Sequence, residues 1–237
     1  MPPGLHLKLK ASGLSAKTIF ETTPVFFAKI HHQSWDSDKL TIGALSRNNL
    51  FINQNQEIKE DFMSDNEGSQ RLLTPGEIAL AKSVFGNSIV YPRVWIHHAS
   101  YFPFKLQGKN TAMSPNGELY FRDWYCENFS IQSFQFQHLF IHEMSHVWQY
   151  QRGIWVRMRG LVSGFVSYEY SFEENKKLFD YRLEQQAQII ADYCLLSKFG
   201  LNMWLARRGK DGEVSYVGSV DNKIHSKYQK VLEGFPF

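Results

Sequence analysis

The chain is poor in cysteine, with Cys126 and Cys194 alone among its 237 residues. Two cysteines exclude a disulfide framework. Cys194 falls on an apolar helix stripe, so two buried thiols are expected, with a single disulfide as the other reading. Charge of one sign is also scarce: 26 Lys and Arg stand against 23 Asp and Glu, for a net +3. No basic run is interleaved with aromatics, so no nucleic-acid partner is expected, and Arg157, Arg159, Arg207, Arg208 and Lys210 are read as solvated. No segment reaches the roughly 18 apolar residues of a membrane span, which excludes a transmembrane segment, and residues 1–30 lack the basic-then-apolar order of a signal peptide. If the chain leaves its cell, it is expected to use another route.

Apolar and aromatic side chains are abundant, at 43% and 15% of the residues, enough for one sizeable core and against a disordered or repeat protein. The polar stretch from Met63 to Gln70 reads as a linker. It divides an accessory region of unknown role, residues 1–70, from a domain at 71–237.

Residues 141–149 of that domain read Ile-His-Glu-Met-Ser-His-Val-Trp-Gln. At four-residue spacing on a helix, His142 and His146 lie one turn apart on the same face and can reach one metal ion. Glu143 is turned about 80° from their mean direction, which makes it a base and not a ligand. This is the layout of a zinc hydrolase in which Zn2+ acidifies water and a carboxylate takes its proton. The surroundings agree. From Phe134 to Gln151, Phe136, Leu139, Phe140, Ile141, Met144, Val147, Trp148 and Tyr150 cover more than half of the wheel. His138, His142, Ser145, His146 and Gln149 share the narrow remainder, and a mostly buried helix keeps such a stripe only for a cleft, a metal or hydrogen-bond partners. Gly153 is the expected stop.

A catalytic zinc ordinarily takes three protein ligands and leaves one place open. A metzincin would continue with glycine three residues after His146 and histidine six after it; Gln149 and Arg152 stand there instead. Downstream, Leu183, Ala187, Ile190, Ala191, Cys194 and Leu195 form a helical apolar stripe into which Glu184 projects, whereas Asp192 falls well away from its centre. A carboxylate so placed needs a cation or several donors, which favours Glu184 as the third ligand. Asp180, Glu173, Glu174 and His225 remain as rivals. The pairs His31-His32 and His97-His98 are set aside, because neighbours on a strand face opposite ways.

Four separated blocks, Leu73-Thr74-Pro75-Gly76-Glu77, Ala112-Met113-Ser114-Pro115-Asn116-Gly117, His142 to Gln149 and Leu183-Glu184-Gln185-Gln186-Ala187, resemble the zinc metallopeptidase domains of type VI secretion effectors, often found as C-terminal extensions of VgrG spike proteins. The resemblance covers about residues 72–200. It implies His142, His146 and Glu184 as metal ligands, Glu143 as catalytic base, and as partners a peptide or protein substrate, a VgrG spike and a cognate immunity protein. It further implies a chain that is cytoplasmic in its producer and acts in the periplasm of a target cell. Gln188 departs from the wider gluzincin pattern, in which an Asp four residues after the ligand Glu often orients a zinc-bound His.

The expected fold is α+β and zincin-like: a small sheet packed on the His-Glu-x-x-His helix, followed by a helix with the third ligand. Thr74, Pro75 and Glu77 predict a capped helix running to Gly86, Val94 to His97 a strand, and Asn116-Gly117 a turn into a strand at Glu118 to Phe121, whose edge could hold an extended peptide. Ile154 to Tyr170 is apolar, with bends at Gly160 and Gly164, and is a loop or a lid. Tyr168, Tyr170 and Tyr193 are candidates to stabilise the transition state. The function expected is a zinc-dependent peptidase and antibacterial effector. Two others stand beside it: a secreted adaptor or spike-binding protein with a structural or vestigial metal site, and a zinc hydrolase of a non-peptide amide such as a cell-wall crosslink.

Overall fold

A computed structural model of the chain describes residues 67–154, 167–209 and 213–236. Most of the accessory region, the pair His31-His32 and most of the candidate lid, with Gly160 and Gly164, lie outside these residues. Strand β1 (Gln70–Leu72) is followed by helix α1 (Pro75–Phe85), strands β2 (Trp95–His98) and β3 (Leu119–Phe121), and helices α2 (Phe134–Gln151), α3 (Leu183–Ala206) and α4 (Ile224–Val231). The class is α+β.

The first block owes its form to local chemistry. Thr74 is extended and caps α1, its hydroxyl accepting from the Glu77 amide while the Glu77 carboxylate accepts from the Thr74 amide; Pro75 opens the first turn. The same buried carboxylate accepts two bonds from the Arg71 guanidinium of β1 and one from the Phe129 amide. One side chain thereby joins a strand, a helix start and the turn before α2. Upstream, Glu67 pairs with Arg122 and Lys105, and the Gly68 amide donates to the His98 carbonyl.

The sheet order is β1-β2-β3, antiparallel between β1 and β2 and parallel between β2 and β3. Ile96, Leu119 and Phe121 are wholly buried on one face. Ring contacts run from Phe121, tilted against Phe129, to Phe140 of α2, on which Phe129 stacks, and join the sheet to the helix beneath it. Strand β2 begins one residue later than expected, because the Val94 amide closes a 3-10 turn onto Tyr91. Strand β3 begins at Leu119, and the role expected of its edge is corrected. Met113 exchanges both main-chain bonds with Tyr120, so the outer edge of β3 is already paired at its central residue. The turn at Asn116-Gly117 is present. Gly117 has φ 82°, and a Cβ there would clash with the Tyr150 ring.

Helix α2 has the predicted limits. It ends in a Schellman motif, the Gly153 amide bonding to the Tyr150 carbonyl and the Ile154 amide to that of Gln149, with Gly153 at φ 79°. Helix α3 lies along α2 and is interrupted at Gly200, with φ 82°. Cys126 and Cys194 are free and partly buried, not paired, and burial lifts their thiols to about 12 and about 11.

Candidate metal centre

The contact between α2 and α3 is a polar ladder within an apolar core. Reading α2 upward and α3 downward at four-residue steps, His138 meets Asp192, His142 meets Gln188, and His146 meets Glu184. Each series lies along one helix face, and the reversed order follows from antiparallel packing.

At the open end of the ladder, Glu184 Oε2 lies 3.0 Å from His146 Nε2 and 3.3 Å from His142 Nε2. The three groups offer ligand atoms all within 4.8 Å of one another, and among the described residues they form the one such group of His, Cys, Asp or Glu side chains. Two ligands on a tetrahedral zinc with bonds of about 2.0–2.1 Å are roughly 3.3 Å apart, so the carboxylate already stands at ligand separation from each imidazole. The set of two imidazole nitrogens and one carboxylate oxygen suits zinc chemically and leaves a fourth place. The imidazole side chains are 8% and 6% exposed against 22% for Glu184, so the site opens past the carboxylate.

The far nitrogen of each ring is also held. His142 Nδ1 faces Gln188 Oε1 at 3.1 Å, and His146 Nδ1 faces Gln149 Oε1 at 2.9 Å. With an acceptor behind each ring, Nδ1 is held as the donor, and Nε2, directed at the site, would be the nitrogen offered to an ion. Without a metal, burial would lower the His146 pKa, but the Glu184 carboxylate outweighs this and raises it to about 9. Burial likewise opposes ionisation of Glu184, yet the charge and hydrogen bonds of His146 and His142 hold it well below the usual carboxylate range.

Glu143 is buried on the same helix as the two histidines. Its Oε2 accepts from Ser114 Oγ at 2.8 Å, which leaves Oε1 for other work. Ser114 belongs to a quoted block, but nothing in its type or spacing marked this contact.

Of the three tyrosines, Tyr168 stands nearest, its ring 5.9 Å from that of His142. Tyr170 is corrected: its buried hydroxyl is engaged by Asp192 and Tyr228. Tyr193 stacks on Tyr228 and leans on His225, away from the ligands. The rival third ligands are also elsewhere. Asp180 accepts from the Lys177 amide, Glu173 pairs with Lys176, and Glu174 and His225 are exposed. His97 stacks on Tyr120 and His98 on Tyr125, so that pair does not converge on an ion.

Asp192 is the main correction. It is 0% exposed and accepts from His138, Gln188, the Tyr170 hydroxyl and the Ser215 amide. A wheel drawn on α3 alone turned it away from the apolar centre, but α2 presents its polar stripe to that flank. The signal was available in the four-residue steps 138, 142, 146 and 184, 188, 192.

No protein-family model matches the chain. It is 38% identical over 179 residues to the type VI secretion system spike protein VgrG2b of Pseudomonas aeruginosa strain PAO1, an alignment that takes in 70% of this chain and 15% of that protein. Among solved structures, the effector domain of Pseudomonas aeruginosa VgrG2b is similar at 35% identity and a TM-score of 0.51, with 66% of this chain and 91% of that domain covered.

Proposed function

The chain belongs to the family of the VgrG2b effector domain, and from that premise we propose that it is a zinc-dependent peptidase of zincin-like fold, delivered as a type VI secretion effector. The observation that carries the reading is the convergence of His142, His146 and Glu184, with the buried Glu143 on the same helix as the two histidines and held by Ser114. Delivery by a VgrG spike, action in the target periplasm and neutralisation by an immunity protein belong to the same proposal. Among the described residues no helix is long and apolar enough to cross a membrane.

His142 Nε2, His146 Nε2 and a Glu184 oxygen would hold the ion. Zinc, when bound, supplies a Lewis acid that acidifies water and polarises a carbonyl. Glu143 Oε1 takes the proton of the attacking water and passes it to the leaving amine, while Ser114 holds Oε2 and with it the carboxylate's rotamer. The donor to the tetrahedral oxyanion is assigned to Tyr168, a reading supported by its ring lying 5.9 Å from that of His142. An extended substrate would be held largely by main-chain bonds, which supply affinity with little demand on sequence.

Glu143→Gln tests the reading. The variant should keep about one zinc per chain, as a site with three protein ligands predicts, and lose roughly 10²-fold or more of the hydrolysis. His142→Ala and His146→Ala should each lose most of the metal. Full activity in Glu143→Gln, or normal zinc in both histidine variants, would overturn it.

A further inference from the structure

We infer that Asp192 is a positioning residue of the metal centre: through Gln188 it fixes which nitrogen of His142 carries the proton and hence which one is offered to the ion. The inference rests on the zinc reading above. A glutamine amide can present either end to a neighbour, so something must decide which end Gln188 turns to His142. On the far side of that amide stand two acceptors, Asp192 Oδ1 at 3.0 Å and the Glu213 carbonyl. An amide oxygen there would face both of them, so the NH2 group takes that side and Oε1 faces His142 Nδ1. Nδ1 must then donate, and the Nε2 lone pair is left for the metal.

Asp192 is suited to be the fixed end of this chain. Its carboxylate has four donors, from α2 (His138), α3 (Gln188), Tyr170 and the Ser215 main chain, and none of its surface meets solvent. The arm behind His146 is built differently. Gln149 donates to the Leu183 carbonyl and to Gln186 Oε1, and Gln186 donates in turn to the Tyr181 carbonyl, so that arm ends on neutral groups. The charged anchor therefore serves His142.

The test is zinc affinity of the purified full chain, read by competition with a chromophoric chelator, which needs no substrate. Asp192→Asn can offer an amide NH2 to Gln188, which leaves the Glu213 carbonyl as the one acceptor holding the amide's orientation and weakens the bias that keeps the His142 proton on Nδ1; affinity should fall roughly 10–100-fold. Tyr170→Phe removes a donor from the opposite side of Asp192 without touching Gln188, and should lower the melting temperature while costing much less zinc affinity than Asp192→Asn. In a Gln188→Ala background, Asp192→Asn should cost no further affinity, because the path between them is already cut. Wild-type affinity in Asp192→Asn, an equal loss in Tyr170→Phe, or additive losses in the double variant would overturn the inference. If Asp192→Asn does not fold, Gln188→Leu replaces it, and wild-type affinity there overturns the inference equally. Zinc that is absent from the wild type overturns both the inference and the zinc reading. Zinc lost on His146→Ala but retained by Asp192→Asn overturns the inference alone.

Discussion

Replacing Glu77 by glutamine should destabilise the protein without weakening its metal centre. The carboxylate is 0% exposed and accepts from the two Arg71 Nη atoms at 2.8 Å each, the Thr74 amide at 2.8 Å and the Phe129 amide at 2.9 Å. An amide of the same shape keeps one accepting oxygen and turns two N–H groups towards the remaining donors. Hydrogen bonds to a charged group contribute about 1.5–3 kcal/mol each, and a buried charge pair that loses one partner costs about 3–5 kcal/mol. Arg71 is 17% exposed and can recover some hydration, whereas an orphaned main-chain amide cannot, so the expected loss is about 3–5 kcal/mol. At roughly 2–4 °C per kcal/mol for a chain of this size, the melting temperature should fall by about 6–20 °C. Urea unfolding followed by tryptophan fluorescence, together with a thermal scan at saturating zinc, measures it. Zinc affinity should be unchanged. A Glu77→Gln variant within about 0.5 kcal/mol of wild type would refute the reasoning, and so would Arg71→Met and Glu77→Gln losses that simply add.

Glu184→Ala should weaken zinc binding and lower the melting temperature. A chelator should bring the wild type towards this variant and hardly change the variant itself, since zinc at 100 times its Kd stabilises a folded site by about 2.7 kcal/mol; an equal chelator response in both proteins would remove Glu184 from the ligand set. In chelated protein, His146 is raised to about 9, so its contribution is fully present below about 6.5, the unfolded value, and is lost as pH rises through about 9. Glu184 is depressed, so its contribution is present above about 4.5 and is lost on acidification. The chelated melting temperature should therefore decline from pH 6.5 to pH 9, and less steeply in Glu184→Gln; the same slope in both would show that the pair does not set it.

The parts legible from the sequence were those governed by neighbours along the chain. Thr74, Pro75 and Glu77 define a helix start whatever lies above it, and the periodicity of residues 134–151 with Gly153 defines α2 to the residue. His142 and His146 share one helix, and Glu184 declared itself as a carboxylate on an apolar stripe. The three-residue strands are short enough to be set by their partners, which is why β2 shifted by one position and the Met113 pairing with Tyr120 was missed. Asp192 was misread for a related reason. Whether a helix flank is buried depends on the element packed against it, and Tyr170, Ser215 and Tyr228 reach that flank from distant segments.

The ladder between α2 and α3 also acts as a key for helix register. Slide α3 by one turn so that His142 meets Glu184 and His138 meets Gln188, and two rungs still look acceptable. The third then sets Asp192 against Phe134, leaving a carboxylate in the interior without the imidazole it now has, a penalty of several kcal/mol. Slide it the other way, and Glu184 meets Tyr150 while Asp192 displaces Gln188 from behind His142. A repeat of four would tolerate such slips if every rung were alike. Because the acceptors differ in the order carboxylate, amide, carboxylate, one alignment alone satisfies all three, and the helices are indexed before any ion arrives.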